Sequence, residues 1–381
     1  MHIVCCLVFC SCANTINTDI ELKQLDATLK AILEETYVDS YEGLAGISLA
    51  VSSPLLKEPW TGAHGFDSTK KDSILSTNQP YRIASVTKTF VAVAILRLHE
   101  IDSLSIDDPI GKYISNEHIQ ILKSGGYSTD SILIKHCLNH TSGLNDYAMA
   151  GDDYIKAIIE NPSKRWTRTQ QIKGAMVWGD RVGNPGEKYS YCDTGYILLG
   201  EIAGIFFDDS LATALRSLLK FDKLQMNNTW LESLEENPNP NAKPVHRYAR
   251  GYETTEWDPS IDLYGGGGLM STSKDLAIFM HALFNDKIFE NKNTIELMLT
   301  KPQYHHSYDS EENERHKDYR YGLWQNKIYG DEIFLHRGLW GTALIYIPAY
   351  NCTIASNVTK GSNDRFLKKV ILTMKNLSQK S

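Results

Sequence analysis

The sequence is poor in the features that mark several large functional classes. Lysine and arginine are outnumbered by aspartate and glutamate, 39 to 46, for a formal net charge of −7. No basic cluster interrupts that mild acidity, which argues against a nucleic-acid groove. Beyond the first dozen residues no run is long and apolar enough to span a bilayer. Only Cys137, Cys192 and Cys352 lie in the body of the chain, too few and too scattered to demand a disulfide framework. Heptads, short repeats and low-complexity tracts are missing as well, which removes coiled coils and solenoids from consideration.

What is present begins with an unusual start. Cys5, Cys6, Cys10 and Cys12 crowd an apolar stretch that turns abruptly polar at Asn14. It is too short to cross a membrane. It is similar to the tail of a bacterial lipoprotein export signal, with Cys12 or Cys10 as the lipid-modified residue. Residues 1–19 are therefore expected to direct export to the periplasm or cell surface, with a lipid anchor through Cys12. A disordered amino terminus is the alternative.

At 381 residues the chain exceeds one average domain. Ile20, Leu22, Leu25, Leu29, Ile32 and Leu33 recur at helical spacing, so residues 20–38 read as an amphipathic helix. Gly46–Ser52 reads as a strand, with Trp60–Phe66 as its hairpin partner. From about Ser105 the pattern changes to short helices, including Ile132–His140 and Thr194–Phe207, with no strand-rich region before about Tyr248. Asn184-Pro-Gly-Glu187 is a strong turn signal. A polar, charged loop is expected over residues 303–320. Strand-like runs then follow at Tyr321–Trp324, Glu332–His336, Ala343–Ile347 and Thr353–Asn357, before a terminal helix over Phe366–Leu377. The expected class is α/β (α+β): an antiparallel sheet flanked by helices and built from both chain ends. Residues 20–104 and 250–381 would form that discontinuous domain, and 105–249 an inserted, mainly helical one.

The chemistry centres on Tyr81-Arg-Ile-Ala-Ser85-Val-Thr-Lys88, a short extended run that turns into a long apolar helix. Residues three apart share a helix face, so the Lys88 ammonium lies beside the Ser85 hydroxyl. A serine needs an adjacent base to act as nucleophile, and a helix start offers unpaired N–H groups to a developing oxyanion. The same Ser-x-x-Lys spacing recurs at Ser68/Lys71, Ser217/Lys220 and Ser271/Lys274. Those fall in a polar turn, a helical run and a helix N-terminus capped by Ser271, Thr272 and Asp275, where no catalysis is needed. Tyr191, at a loop-to-helix junction, is a candidate general base whose phenolate a lysine would stabilise. Taken alone, ordinary packing explains it better. The same holds for His336, at the end of an apolar strand, where Gly338 would let substrate backbone approach. The glycine run Gly265–Gly268 lacks the Lys-Ser/Thr of a phosphate loop.

Together these pieces resemble the serine β-lactamase and penicillin-binding protein superfamily, nearest to the class C β-lactamase-like hydrolases. Ser85-Val-Thr-Lys88 matches Ser-x-x-Lys, Tyr191-Cys-Asp193 stands at the Tyr-x-Asn position, and His336-Arg-Gly338 at Lys-Thr-Gly. Leu138-Asn-His-Thr-Ser-Gly-Leu144, Pro185-Gly-Glu187 and Gly267-Gly-Leu-Met-Ser-Thr272 support the match. The resemblance implies that Ser85 is acylated and that Lys88 and Tyr191 handle its proton. The backbone N–H groups of Ser85 and Leu339 would form the oxyanion hole, with Asp193, His336 and Gly338 lining the substrate. It implies no metal and no cofactor. His136 and His140 sit one helical turn apart without a third zinc ligand at suitable spacing, and His140 belongs to the structural His-Thr-Ser-Gly stretch.

Two departures bear on substrate. Ionised Asp193 accepts but cannot donate to a substrate carbonyl, and it favours the charged form of Lys88, which shifts the base role towards Tyr191. A mostly neutral His336 holds a substrate carboxylate less well than lysine. Strand alternation would turn Arg337 to the opposite face, and Trp340 would narrow the acyl pocket. The expected activity is therefore an exported serine hydrolase acting on small-molecule or peptide substrates, first on amide bonds of D-amino-acid or cell-wall-type peptides. A carboxylesterase, a β-lactamase and a catalytically inactive penicillin-binding sensor are the alternatives.

Overall fold

The computed structural model describes residues 9–39, 43–149, 151–303, 305–306, 318–361 and 363–380. Residues 1–8 of the expected export segment and most of the polar loop at 303–320 lie outside the described residues.

The main sheet is antiparallel, in the order Trp324–Ile328, Asp331–Gly338, Thr342–Ile347, Cys352–Val358, Gly46–Ser52, Trp60–Gly65. Both chain ends therefore build it, as expected. They meet where Gly46–Ser52 pairs with Cys352–Val358, Ile47 opposite Val358 and Ser52 opposite Thr353. Alternation assigns the two faces. Ile47, Leu49 and Val51 join Ile345 and Ile354 in one apolar layer, covered by Leu29 and Leu33 of the helix Phe9–Val38 and Phe366 and Val370 of the helix Asp364–Ser378. Each such side chain contributes about 1.5–3 kcal/mol when fully buried. On the other face Ala50 joins the larger core. There Ser48 Oγ meets Ser273 Oγ at 3.0 Å, at the start of the helix Ser273–Phe284.

The helix Thr87–Glu100 is buried on every side from Thr87 to Leu98. An all-round buried helix belongs in the middle of a large core. Phe90 stacks on Phe279 with ring centroids 3.7 Å apart and meets Phe221 edge-on at 6.0 Å. It packs against the helices Asp193–Ile205 and Leu211–Leu218. Around these lie Asn116–Ser124, Ile134–Leu138, Asp153–Glu160 and Arg168–Val177.

The structure departs from the sequence reading at several edges. The first helix starts at Phe9 rather than near residue 20. The helix expected over Ile132–His140 is confined to Ile134–Leu138, and the strand expected at Tyr321 begins at Trp324. Lys188–Tyr189 and Trp230–Leu231 are strands within the supposedly strand-free middle. Two residues are too few to display a period. Trp230–Leu231 completes a small sheet with Leu269–Ser271 and Tyr81–Arg82, the strand that delivers the chain to Ser85.

Candidate active site

Ser85 sits in a clamped turn. Ile83 N–H donates to the Leu269 carbonyl at 3.0 Å, and Leu269 N–H donates to Thr87 Oγ1 at 3.2 Å. Between those ties Ala84 adopts a φ of +46°. A non-glycine residue there costs about 1–3 kcal/mol, which the surrounding hydrogen bonds must hold in place. The turn Ala84–Val86 then passes directly into the helix Thr87–Glu100. Lys88 falls one turn after Ser85, as expected, and its Nζ donates to Ser85 Oγ at 3.1 Å.

The other two Lys88 protons are also engaged. One goes to the Gly266 carbonyl at 2.6 Å and one to the Asp193 carboxylate. An ammonium has three donors and no acceptor, so all of its capacity is used. Burial pushes the Lys88 pKa down, but Asp193, Tyr191 and Asp262 outweigh it and hold the group above the ordinary lysine value. Lys88 therefore rests as a cation. Asp193 is fixed by its place in the first turn of the helix Asp193–Ile205, where a carboxylate also suits the helix dipole.

Tyr191 faces the same group, with Lys88 Nζ 4.9 Å from its ring centre. Its hydroxyl faces Lys88 and Ser85, and both favour the phenolate. Burial raises the phenol pKa above its ordinary value, Lys88 opposes that, and Asp193 adds to it. His140 sets the position of this tyrosine. Its carbonyl accepts from Ser190 N–H at 2.8 Å and its Nδ1 from Cys192 N–H at 3.1 Å, so both flanks of Tyr191 hang on one residue. The His140 ring lies 4.3 Å from the Tyr191 ring, and Trp324 stacks on Tyr191 at 5.8 Å. The Cys192 thiol is buried, which pushes its pKa well up and leaves it a packing group.

His336 and Gly338 differ from expectation. The His336 side chain is fully buried and does not line the cavity in front of Ser85. Its Nδ1 donates to the Arg337 carbonyl at 2.9 Å and its Nε2 accepts from the Tyr319 hydroxyl at 3.2 Å. Burial, helped by Lys88, drives its pKa down to about 3, so the ring is neutral and supports the strand from behind. Gly338 makes room for the chain itself rather than for substrate. A Cβ there would stand 2.2 Å from the Ile83 carbonyl oxygen, so only glycine lets this strand end close on the Ser85 turn. That approach brings Leu339, 60 % exposed, to the cavity edge. Arg337 points away, as alternation requires, to Asn363 at 3.1 Å and Asp364 at 2.5 Å.

The cavity measures about 280 Å³ and is lined by Ser85, Tyr191, Asp193 and Leu339. Its far wall is apolar, with Tyr154, Ile155, Ile158, Trp257, Ile261 and Trp340. Trp340 is held by its indole N–H, which donates to Thr254 Oγ1 at 2.9 Å. Sequence reasoning missed two carboxylates near Lys88. Asp146 is buried, and burial and Asp193 push its pKa up to about 8. Asp262 lines the cavity, and burial raises it to about 6 against the pull of Lys88. The signal available for Asp262 was the glycine run just after it. A Cβ at Gly267 would lie 2.3 Å from both Asp262 oxygens, and one at Gly266 would lie 3.1 Å from Asp193 Oδ1.

The remaining Ser-x-x-Lys matches are accounted for by local structure. Lys71 N–H donates to the Ser68 carbonyl and Lys220 N–H to that of Ser217, both lysines at positive φ in turns. Ser271 Oγ bonds Thr229 Oγ1 at 2.8 Å, while Thr272 alone caps the following helix through Asp275 N–H. His136 and His140 serve separate backbone bonds, to Leu133 N–H and Cys192 N–H.

Comparison with known proteins bears on family and fold. The Beta-lactamase family model matches residues 37–372. Penicillin-binding protein 4* of Bacillus subtilis (strain 168) is 26% identical over 235 residues, 56% of this chain and 46% of that protein. Protein flp of Staphylococcus aureus (strain NCTC 8325 / PS 47) is 24% identical over 202 residues, 53% of this chain and 34% of that one. The matched part is thus less than half of either relative's length. Among solved structures, D-amino acid amidase from Ochrobactrum anthropi SV3, complexed with L-phenylalanine amide, superposes with a TM-score of 0.76 at 21% identity. It covers 94% of this chain and 100% of its own. D-stereospecific amidohydrolase from Streptomyces sp. gives 0.72 at 22% identity, covering 91% and 97%. Both share the fold.

Proposed function

The chain belongs to the β-lactamase family, and from that premise we propose that it is a serine hydrolase working through an acyl-enzyme on Ser85. Its substrates are small amides or short peptides of the D-amino-acid or cell-wall type. One observation carries the reading: Ser85 Oγ accepts a hydrogen bond from a fully engaged ammonium, beside the Tyr191 phenol, at the wall of a mainly apolar cavity. The reacting form carries Tyr191 as the phenolate, its own proton having left to solvent; Ser85 Oγ then attacks the amide carbonyl carbon as the Ser85 proton passes to the Tyr191 oxygen. Lys88 stays charged and stabilises the phenolate that takes part in that transfer. The N–H groups of Ser85 and Leu339 receive the oxyanion. Collapse expels the amine, which takes the proton from Tyr191, and water then attacks the ester by the same route in reverse. Two of the solved structures that share the fold are, by name, an amidase and an amidohydrolase, and this favours amides over esters. An export role for residues 1–19, with a lipid on Cys12, belongs to the same proposal and rests on their apolar-to-polar composition.

The test is the intact mass of the protein after treatment with a neutral phosphonofluoridate, beside Ser85→Ala. One adduct on the wild type and none on the variant is the expected result. An adduct on both, or amide turnover surviving in the variant, would overturn the assignment of Ser85.

A further inference from the structure

Asp262 is the polar group of the cavity that acyl transfer leaves unused. It ends the short turn Pro259–Asp262 and faces the same space as Ser85. Among the described residues its carboxylate makes no hydrogen bond and no ion pair, and only longer-range charges act on it: Lys88, Asp193, Arg82 and Glu232. Asp262 is partly open to this cavity, and a carboxylate with no protein partner in mainly apolar surroundings leaves its hydrogen bonds to whatever fills the space. The backbone is shaped around this one, since any side chain at Gly267 would collide with both its oxygens. The wall beside it is apolar, with Ile155, Ile158, Trp257 and Ile261. Lys88, the nearest named cation, already spends its three donors on Ser85, Gly266 and Asp193.

We propose that Asp262 binds the free ammonium group of the substrate, so that the chain acts on amino-acid amides or short peptides with an unblocked α-amine and an apolar side chain. This rests on the hydrolase reading above and adds the substrate class. An amine completes the missing hydrogen bonds of Asp262, while the apolar wall takes the side chain. A substrate carboxylate in the same place would meet Asp193 and Asp262. The one cation lining the cavity among the described residues is Arg250, exposed at the turn between Tyr248–Ala249 and Tyr252–Glu253.

The experiment compares D-phenylalanine p-nitroanilide with its N-acetyl derivative in the wild type, Asp262→Asn and Asp262→Glu. Wild type should favour the free amine by about ten- to a hundredfold in kcat/KM, the scale of a charge-assisted hydrogen bond. The asparagine variant should bring that ratio close to one and the glutamate variant should keep part of it. A ratio does not depend on the fraction of enzyme that folds. Calorimetric binding of phenethylamine and of 3-phenylpropionate to Ser85→Ala, with and without Asp262→Asn, reads the same contact without turnover. Phenethylamine should bind, and about tenfold or more weakly once Asp262 is replaced. Equal binding to both proteins, or preferential binding of 3-phenylpropionate, would overturn the assignment of Asp262. Hydrolysis of both anilides at equal kcat/KM would overturn it too while leaving the hydrolase reading intact. Loss of all anilide hydrolysis would count against the amide substrate, and the binding result would still decide Asp262.

Discussion

Replacing Asp193 by Asn tests whether the resting charge state of Lys88 and Tyr191 is set by this carboxylate. The variant keeps an acceptor oxygen for Lys88 but removes the charge. Two unit charges at about 4 Å interact by about 4 kcal/mol at an effective dielectric near 20. That corresponds to a displacement of about three pH units in the titration of the ammonium. Asp262 and the Gly266 carbonyl remain, and the phenol is less directly coupled, so a displacement of about one to three units is the working range. Asp193 raises both Lys88 and Tyr191, so its removal lowers both. The pH profile of kcat/KM reports the coupled pair: its rise, as Tyr191 ionises, and its alkaline limb, as Lys88 loses its proton, should both move down by that amount. The assay is hydrolysis of a neutral chromogenic ester from pH 6 to 11, with thermal melts to confirm folding. Some loss of stability is expected, since breaking a buried pair completely costs about 3–5 kcal/mol. An alkaline limb that stays in place, or moves up, in a folded variant would refute the reasoning.

Two further substitutions separate packing from chemistry. Gly338→Ala puts a methyl 2.2 Å from the Ile83 oxygen, where backbone must yield. It should lower kcat by about a hundredfold through misplacement of the oxyanion donors and reduce stability by about 1–3 kcal/mol; wild-type kcat would contradict the account of the glycine. His336→Asn tests proton linkage. The folded ring stays neutral down to about pH 3, whereas the unfolded one takes a proton below about 6.5, so wild-type stability falls as pH drops through that window. The excess stability of wild type over variant should therefore shrink by about 1.4 kcal/mol per pH unit between pH 6.5 and 4.5 in urea titrations. Parallel curves would show that the ring titrates normally.

The Ser85 turn was legible because a polar hydroxyl and an ammonium stand one helical turn apart at the head of an apolar run. The sheet was legible because seven-residue apolar strands such as Gly46–Ser52 and Cys352–Val358 bury every residue. Other features depend on contacts that no local pattern carries. The burial of His336 requires Tyr319 and Trp324, which arrive from the preceding strand region. The reason for Gly338 is a carbonyl more than two hundred residues away in sequence, at Ile83. His140 read as a structural residue and is one, yet what it structures is the position of Tyr191.

The glycine run shows how the same letters carry different chemistry in different surroundings. Read locally, Gly265–Gly268 is a glycine run without the Lys-Ser/Thr of a phosphate loop. In the fold the run packs against carboxylates and carbonyls: Gly265 against the Tyr196 carbonyl, Gly266 against Asp193, Gly267 against Asp262. Its Gly266 carbonyl points at Lys88. Such a loop presents oxygen to the site and repels an anion, the opposite of a phosphate cradle. The same arithmetic bears on substrate choice. Lys88 is matched by Asp193 and His336 is neutral, so Asp262 is left as an unpaired carboxylate of the cavity among the described residues, with Arg250 exposed at its edge. A substrate that must seat a carboxylate there works against that charge, whereas one that brings an amine removes it. On the proposed reading, His336 at the Lys-Thr-Gly position and the unpaired Asp262 would act in one direction, away from β-lactam-like acids and towards amino-acid amides.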